Sequence, residues 1–178
     1  MNLARYLQVS VCAVLAMLLT GPGTAHAEPA PPVPPSTDGA VTVSGDVGQS
    51  VTFTPEDIRA LPSTAVTTTF QTPSGPQTHT YTGAPLEALL TTAKPIPGTS
   101  AQHPFLTVAI LASGADGYAA ALSWAEVSSA LRPDPALVAW DEDGVPLARP
   151  RLVVPADVKG ARYVRDLTSL RVVQLAAP

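Results

Sequence analysis

Cysteine is all but missing from this chain: the one cysteine in 178 residues is Cys12, near the N-terminus. The rest of the sequence therefore has no disulfide, no thiolate metal ligand and no cysteine nucleophile. Charge is also sparse, at 13% of residues, and aromatics make up 5%. With a formal net charge of −4, an acidic, lysine-poor domain lacks the basic face and stacking side chains of a nucleic-acid binder. Histidine offers no metal site by spacing, because His26, His79 and His103 have no second ligand at a zinc-like interval. His79 falls on an expected hairpin strand and His103 before a proline, and both read as structural. No serine nucleophile elbow, phosphate-binding glycine loop or paired-carboxylate motif occurs. Asp141-Glu142-Asp143-Gly144 lacks the ligand spacing of a calcium loop and reads as a hairpin turn.

What is present begins with a leader. Arg5, an apolar stretch from Val9 to Leu19 and Ala25-His26-Ala27 together form the pattern of a secretory signal peptide over residues 1–27, with cleavage expected after Ala27. The apolar stretch is too short to remain as a membrane span. No twin-arginine pair precedes it, so export in an unfolded state to the periplasm or the exterior is expected. Residues 28–39 are rich in proline and small residues and read as an extended linker. Residues 40–175 have the size of one domain, and 46% of the chain is hydrophobic, enough for a core.

Along that domain, Val41 to Val47 alternates as a strand. Thr54-Pro55-Glu56-Asp57 opens a short helix with a cap, a first-turn proline and first-turn acids, and Leu61-Pro62 closes it. Thr64 to Gln71 and Gln77 to Thr82 flank Pro73-Ser74-Gly75-Pro76 and read as a hairpin. Leu86 to Ala93 is an amphipathic helix, and Phe105 to Leu111 an apolar strand. Gly114-Ala115-Asp116-Gly117 turns the chain back through Tyr118 to Leu122. Ser123 and Glu126 make a capping box for a helix ending near Leu131. Ala136 to Trp140, Leu152 to Val154 and Val164 to Gln174 are strands. These elements predict a mixed α+β domain on a mainly β core.

The basic residues are unevenly placed. Six of the ten Lys and Arg residues lie between Arg149 and Arg171, giving that segment +4 against −8 for the remainder. Alone, the alternation with Val and Leu reads as the wet face of a strand. With Gly160 allowing close backbone approach, the segment is also suited to holding an anion.

Several pieces occur in a recognisable order: Phe53 to Pro62, Tyr81-Thr82-Gly83-Ala84-Pro85-Leu86, Asp116-Gly117-Tyr118, Gly144-Val145-Pro146-Leu147, and Arg151-Leu152-Val153-Val154-Pro155 with Gly160, Arg162 and Val164. In this order the chain resembles the molybdopterin-binding domain of the sulfite oxidase superfamily. The resemblance implies a fold that wraps a pterin-dithiolene molybdenum cofactor, and an exported oxidoreductase. It also implies cofactor-binding roles for Arg151, Lys159, Gly160, Arg162, Arg165, Asp116 and Tyr118. In that family a cysteine thiolate is the protein's ligand to molybdenum; the comparable region here, Val66 to Thr72, reads Val-Thr-Thr-Thr-Phe-Gln-Thr. Thr69, Gln71 or Thr72 could fill the space, yet a neutral oxygen cannot donate charge as a thiolate does. The expectation is therefore an exported module binding molybdopterin or another small anion, without molybdenum redox catalysis and without catalytic or metal-ligating residues of its own. The alternatives are an active molybdopterin-dependent oxidoreductase with a non-cysteine ligand, and a cell-envelope interaction protein.

Overall fold

The computed structural model describes residues 38–99, 102–155 and 157–175. The expected leader lies outside the described residues, and so does the linker apart from Asp38 and Gly39, which form a turn. Nine strands among the described residues make two sheets. The first has five strands: β1 (Val41–Gly45), β2 (Val51–Phe53), β5 (Val108–Gly114), β6 (Ala119–Ser123) and β9 (Leu167–Gln174), in the order β2-β1-β9-β5-β6. The second has four: β3 (Thr64–Thr72), β4 (Gly75–Pro85), β7 (Leu137–Glu142) and β8 (Val145–Val153), in the order β3-β4-β7-β8. All pairings are antiparallel except β1 with β9, which joins the two ends of the domain side by side.

Alternation explains which faces are covered. Val41 and Val43 on β1, Ile110 and Ala112 on β5, and Leu170 and Val172 on β9 point one way and are buried. They share a single core with Tyr81, Ala84, Leu137 and Val138 of the second sheet. Helix α2 (Leu86–Ala93) bridges the sheets, touching β1 on one side and β4 and β7 on the other. Its Leu86, Leu89, Leu90 and Ala93 are fully buried, as the i, i+3, i+4 spacing requires. Helix α1 (Pro55–Ala60) starts at a reciprocal cap: the Asp57 N–H donates to Thr54 Oγ1 at 3.2 Å and the Thr54 N–H to Asp57 Oδ2 at 2.9 Å.

Several boundaries differ from the sequence reading: β2 is absent from it, β8 begins seven residues before Leu152, and four further differences have a visible cause. The strand expected from Phe105 starts at Val108, because Phe105 folds into a turn and stacks on Trp124 at 4.8 Å. Helix α3 (Trp124–Val127) stops well before Leu131: Glu87 of α2 accepts from the Ser128 hydroxyl and from the Ser129 N–H and hydroxyl, holding that backbone out of the helix. The acidic turn is only Asp143-Gly144, with φ of 57° and 78°, the left-handed pair of a tight hairpin. Glu142 therefore belongs to β7. Val164 lies before β9, where Asp166 at φ 47° breaks the run.

Gly83 allows β4 and β7 to meet. A Cβ there would lie 2.3 Å from the Val138 carbonyl oxygen and 2.7 Å from Ala139 Cα, next to a register shift between Thr82 and Gly83. Both obstacles are backbone. Gly83→Ala is expected to destabilise the fold by about 1–3 kcal/mol, seen as a lower urea midpoint in equilibrium unfolding.

Candidate functional site

The second sheet presents a concave face. Counting back from the hairpin loop Pro73-Ser74, Phe70 and Thr72 on β3 share that face with Gln77, His79 and Tyr81 on β4. β7 and β8 add Glu142 and Arg151, and the loop after β8 adds Gly160, Tyr163 and Arg165. Together these residues enclose a cavity of about 290 Å³.

One wall is aromatic. Phe70 stacks on His79 at 5.8 Å, and Tyr163 meets Phe70 edge-on at 5.2 Å and Tyr81 at 6.0 Å. The other wall is polar and organised by one carboxylate. Tyr81 donates its hydroxyl to Glu142 Oε1 at 2.7 Å, and Arg151 Nη1 donates to Glu142 Oε2 at 2.7 Å. The Arg151 guanidinium also lies 5.9 Å from the centre of the Tyr81 ring. Burial, reinforced by the bond to Glu142, pushes the Tyr81 hydroxyl far above the ordinary phenol range, so it stays a proton donor. Burial likewise raises Tyr163. His79 Nδ1 is 2.7 Å from Asp143 Oδ2. The Thr80 N–H is the main cause that holds the Asp143 carboxyl below its usual range, with His79 adding to it.

The loop that closes the cavity is pinned from outside. The Arg162 guanidinium bonds Asp157 through Nε, at 2.9 Å, and through Nη2, while Nη1 bonds Glu126 of α3. Bonds to Asp157 and Glu126 hold Arg162 above its ordinary value despite burial. Burial works to raise the Glu126 carboxyl, but the Ser123 and Arg162 bonds outweigh it and lower the value. Tyr118 donates its hydroxyl to the Ala161 carbonyl, and Asp116 Oδ1 accepts from the Tyr118 N–H at 2.9 Å.

The seven residues singled out from the sequence thus separate. Arg151, Gly160 and Arg165 line the cavity. Lys159 lines an adjoining recess of about 330 Å³ with Gln71, Thr72 and Pro73, and Thr72 belongs to both. Arg162, Asp116 and Tyr118 are not on the cavity wall; they hold the loop that carries Gly160 and Arg165. Of the threonine-rich stretch, only Phe70 and Thr72 line the cavity. Thr68 is buried beside it, donating to the Pro155 carbonyl at 2.7 Å, while Thr69 and Gln71 are exposed on the opposite face. The sequence reading missed His79, Tyr81, Glu142 and Tyr163. The parity of the hairpin could have found the first two, and Glu142 is the cross-strand partner of Tyr81.

The family described as oxidoreductase molybdopterin binding domain matches residues 30–177. The chain belongs to this family. No curated protein matches this molybdopterin-binding domain. Among solved structures it is similar to the sulfane dehydrogenase SoxCD from Paracoccus pantotrophus, with a TM-score of 0.63 and 21% identity over 78% of this chain. The domain spans 39% of that chain. The likeness is one of fold, a mainly β sulfite-oxidase-like architecture with short helices.

The walls fit the anionic part of such a cofactor. Arg151 brings a buried Nε with no partner, Arg165 is an exposed cation with no ion pair among the described residues, and Gly160 lies against the Phe70 ring, where a Cβ would come within 3.3 Å. The donor set does not fit a thiolate-bound metal. No cysteine lies among the described residues, and no three His, Asp or Glu side chains there converge on a metal-sized site. At a cofactor site, Arg151 and Arg165 would hold the negative charge, and the aromatic wall would cover a planar ring.

Arg162→Gln is expected to remove the counter-charge of two part-buried carboxylates, Asp157 and Glu126, at a cost of about 1–3 kcal/mol near neutral pH. The folded value of Glu126 lies below its ordinary 4.5, so its contribution is complete above that pH and disappears as the pH falls through the folded value. The stability gap between the two proteins should narrow on acidification below about pH 4.5, measured by urea unfolding across a pH series.

Proposed function

We propose that the domain is an exported binding module that holds a small anionic ligand in the cavity between the β3–β4 hairpin and the 155–165 loop, without molybdenum redox catalysis. The observation that carries this reading is the composition of the cavity wall: two arginines, one with a buried unpaired N–H, facing aromatic rings, with no sulfur donor. Glu142 neutralises part of Arg151 and orients it. Arg165 supplies the uncompensated charge. The pattern of Arg5, Val9 to Leu19 and Ala25-His26-Ala27 supports export.

Family membership favours a second reading, an active molybdopterin-dependent oxidoreductase in which an oxygen donor or water takes the place of the thiolate. In that case the same arginines would bind the cofactor's anionic part, and Thr72 is the oxygen donor of the threonine-rich stretch on the cavity wall.

Molybdenum and pterin analysis of the protein purified from its own organism separates the two. The binding-module reading expects no stoichiometric molybdenum, whether or not pterin is present, and finding both in stoichiometric amount would overturn it. Arg165→Ala removes a charge-assisted contact without disturbing an ion pair. It should weaken binding of inorganic pyrophosphate about tenfold to a hundredfold by calorimetry, while Arg171→Ala, remote on β9, leaves it unchanged.

A further inference from the structure

Two open sheets have four edges, and three of these are poor templates for another strand. β2 has three residues and β6 five. β8 carries Pro146 and Pro150, which lack donors, and Arg149 and Arg151, which add charge. β3 differs on every count: nine residues, no proline, no charge, and an unbroken register with β4. The whole hairpin from Thr64 to Pro85 contains no Asp, Glu, Lys or Arg.

The direction of the free backbone groups follows from one bond. The Gln71 N–H donates to the Val158 carbonyl at 2.8 Å, away from β4, and Gln71 forms a parallel bridge with Lys159. In an antiparallel ladder alternate residues turn both backbone groups to the same side. Ala65, Thr67 and Thr69 therefore direct theirs out of the sheet, where β3 has no strand partner among the described residues, and their side chains are exposed.

We propose that this edge joins two copies of the chain, β3 against β3, antiparallel about a two-fold axis at Thr67, into one eight-stranded sheet. That register opposes Thr67 to itself, Ala65 to Thr69, Val66 to Thr68 and Thr64 to Phe70. β-Branched pairs of this kind are favourable across strands. The argument for a second copy is electrostatic. Two chains of net charge −4 meet at least cost where neither brings a charge, and β3 is the long edge that satisfies this. Lys159 already occupies the edge at Gln71, and Pro62 precedes the other end. The contact is therefore short, below the size of a permanent interface, and its dimer dissociates on dilution.

Sedimentation equilibrium of the purified protein over a micromolar-to-millimolar range is expected to show a monomer–dimer equilibrium. Thr67→Lys places two ammonium groups across a strand spacing of about 5 Å and should weaken dimerisation tenfold or more. Thr80→Lys is the matched control. It loses the same Thr67–Thr80 hydroxyl contact of 2.9 Å and adds the same charge one strand further in, and should leave the constant within about twofold, beyond most of the reach of screened repulsion. Ala65→Lys repeats the test at a second outward position. A chain that stays monomeric throughout, a dimer insensitive to both edge lysines, or equal weakening by Thr67→Lys and Thr80→Lys would overturn the proposal.

Discussion

The site depends on a guanidinium that never touches it. The loop between β8 and β9 closes the cavity, yet among its described residues the only regular structure is one 3-10 turn, Gly160–Arg162. A segment with so few ladder bonds opens at low cost unless side chains fix it. Arg162 does this from behind, sharing its donors between Asp157 in the loop and Glu126 on α3. Tyr118 adds a bond from the β5–β6 turn to Ala161. The loop of one sheet's last strand is thereby tied to the other sheet's neighbourhood, and Gly160, Tyr163 and Arg165 take fixed places opposite the hairpin.

A second carboxylate organises the opposite wall. Glu142 accepts from Tyr81 on β4 and from Arg151 on β8, so three adjacent strands converge on one pair of oxygens. An arginine this buried, with 15% of its side chain exposed, needs such a partner to offset desolvation. The same pairing removes much of its charge from the cavity. The +4 segment is consequently not a uniform basic patch: Arg149 pairs with Asp38, Arg151 with Glu142, and Arg162 with Asp157 and Glu126. Lys159, Arg165 and Arg171 have no ion pair among the described residues, and Arg165 alone of these faces the cavity.

Much of the architecture was legible because it is local. The caps at Thr54 and Ser123, the leucines of α2 and the β3–β4 hairpin each follow from side chains within a few residues of one another. The boundaries that shifted did so through distant partners: Glu87 captured Ser128 and Ser129 from 41 and 42 residues away, and Trp124 drew Phe105 out of its strand. Gly160 and Arg165 were legible as site residues from the density of charge around a glycine, but His79 and Glu142 were not. Their roles depend on the face of the sheet they occupy, and the two-residue displacement of the start of the acidic turn brought Glu142 into β7.

By itself the sequence determined the family's order of motifs, the α+β class, the scarcity of sulfur and the concentration of positive charge near the C-terminal end. These are properties of composition and spacing, and no packing can change them. Only the tertiary structure decided which cations face the ligand cavity and which hold its wall, because that depends on where Glu126, Glu142 and Asp157 arrive. Opposite charges choose partners by distance and burial rather than by position along the chain, and those distances exist only after both sheets have closed over their shared core.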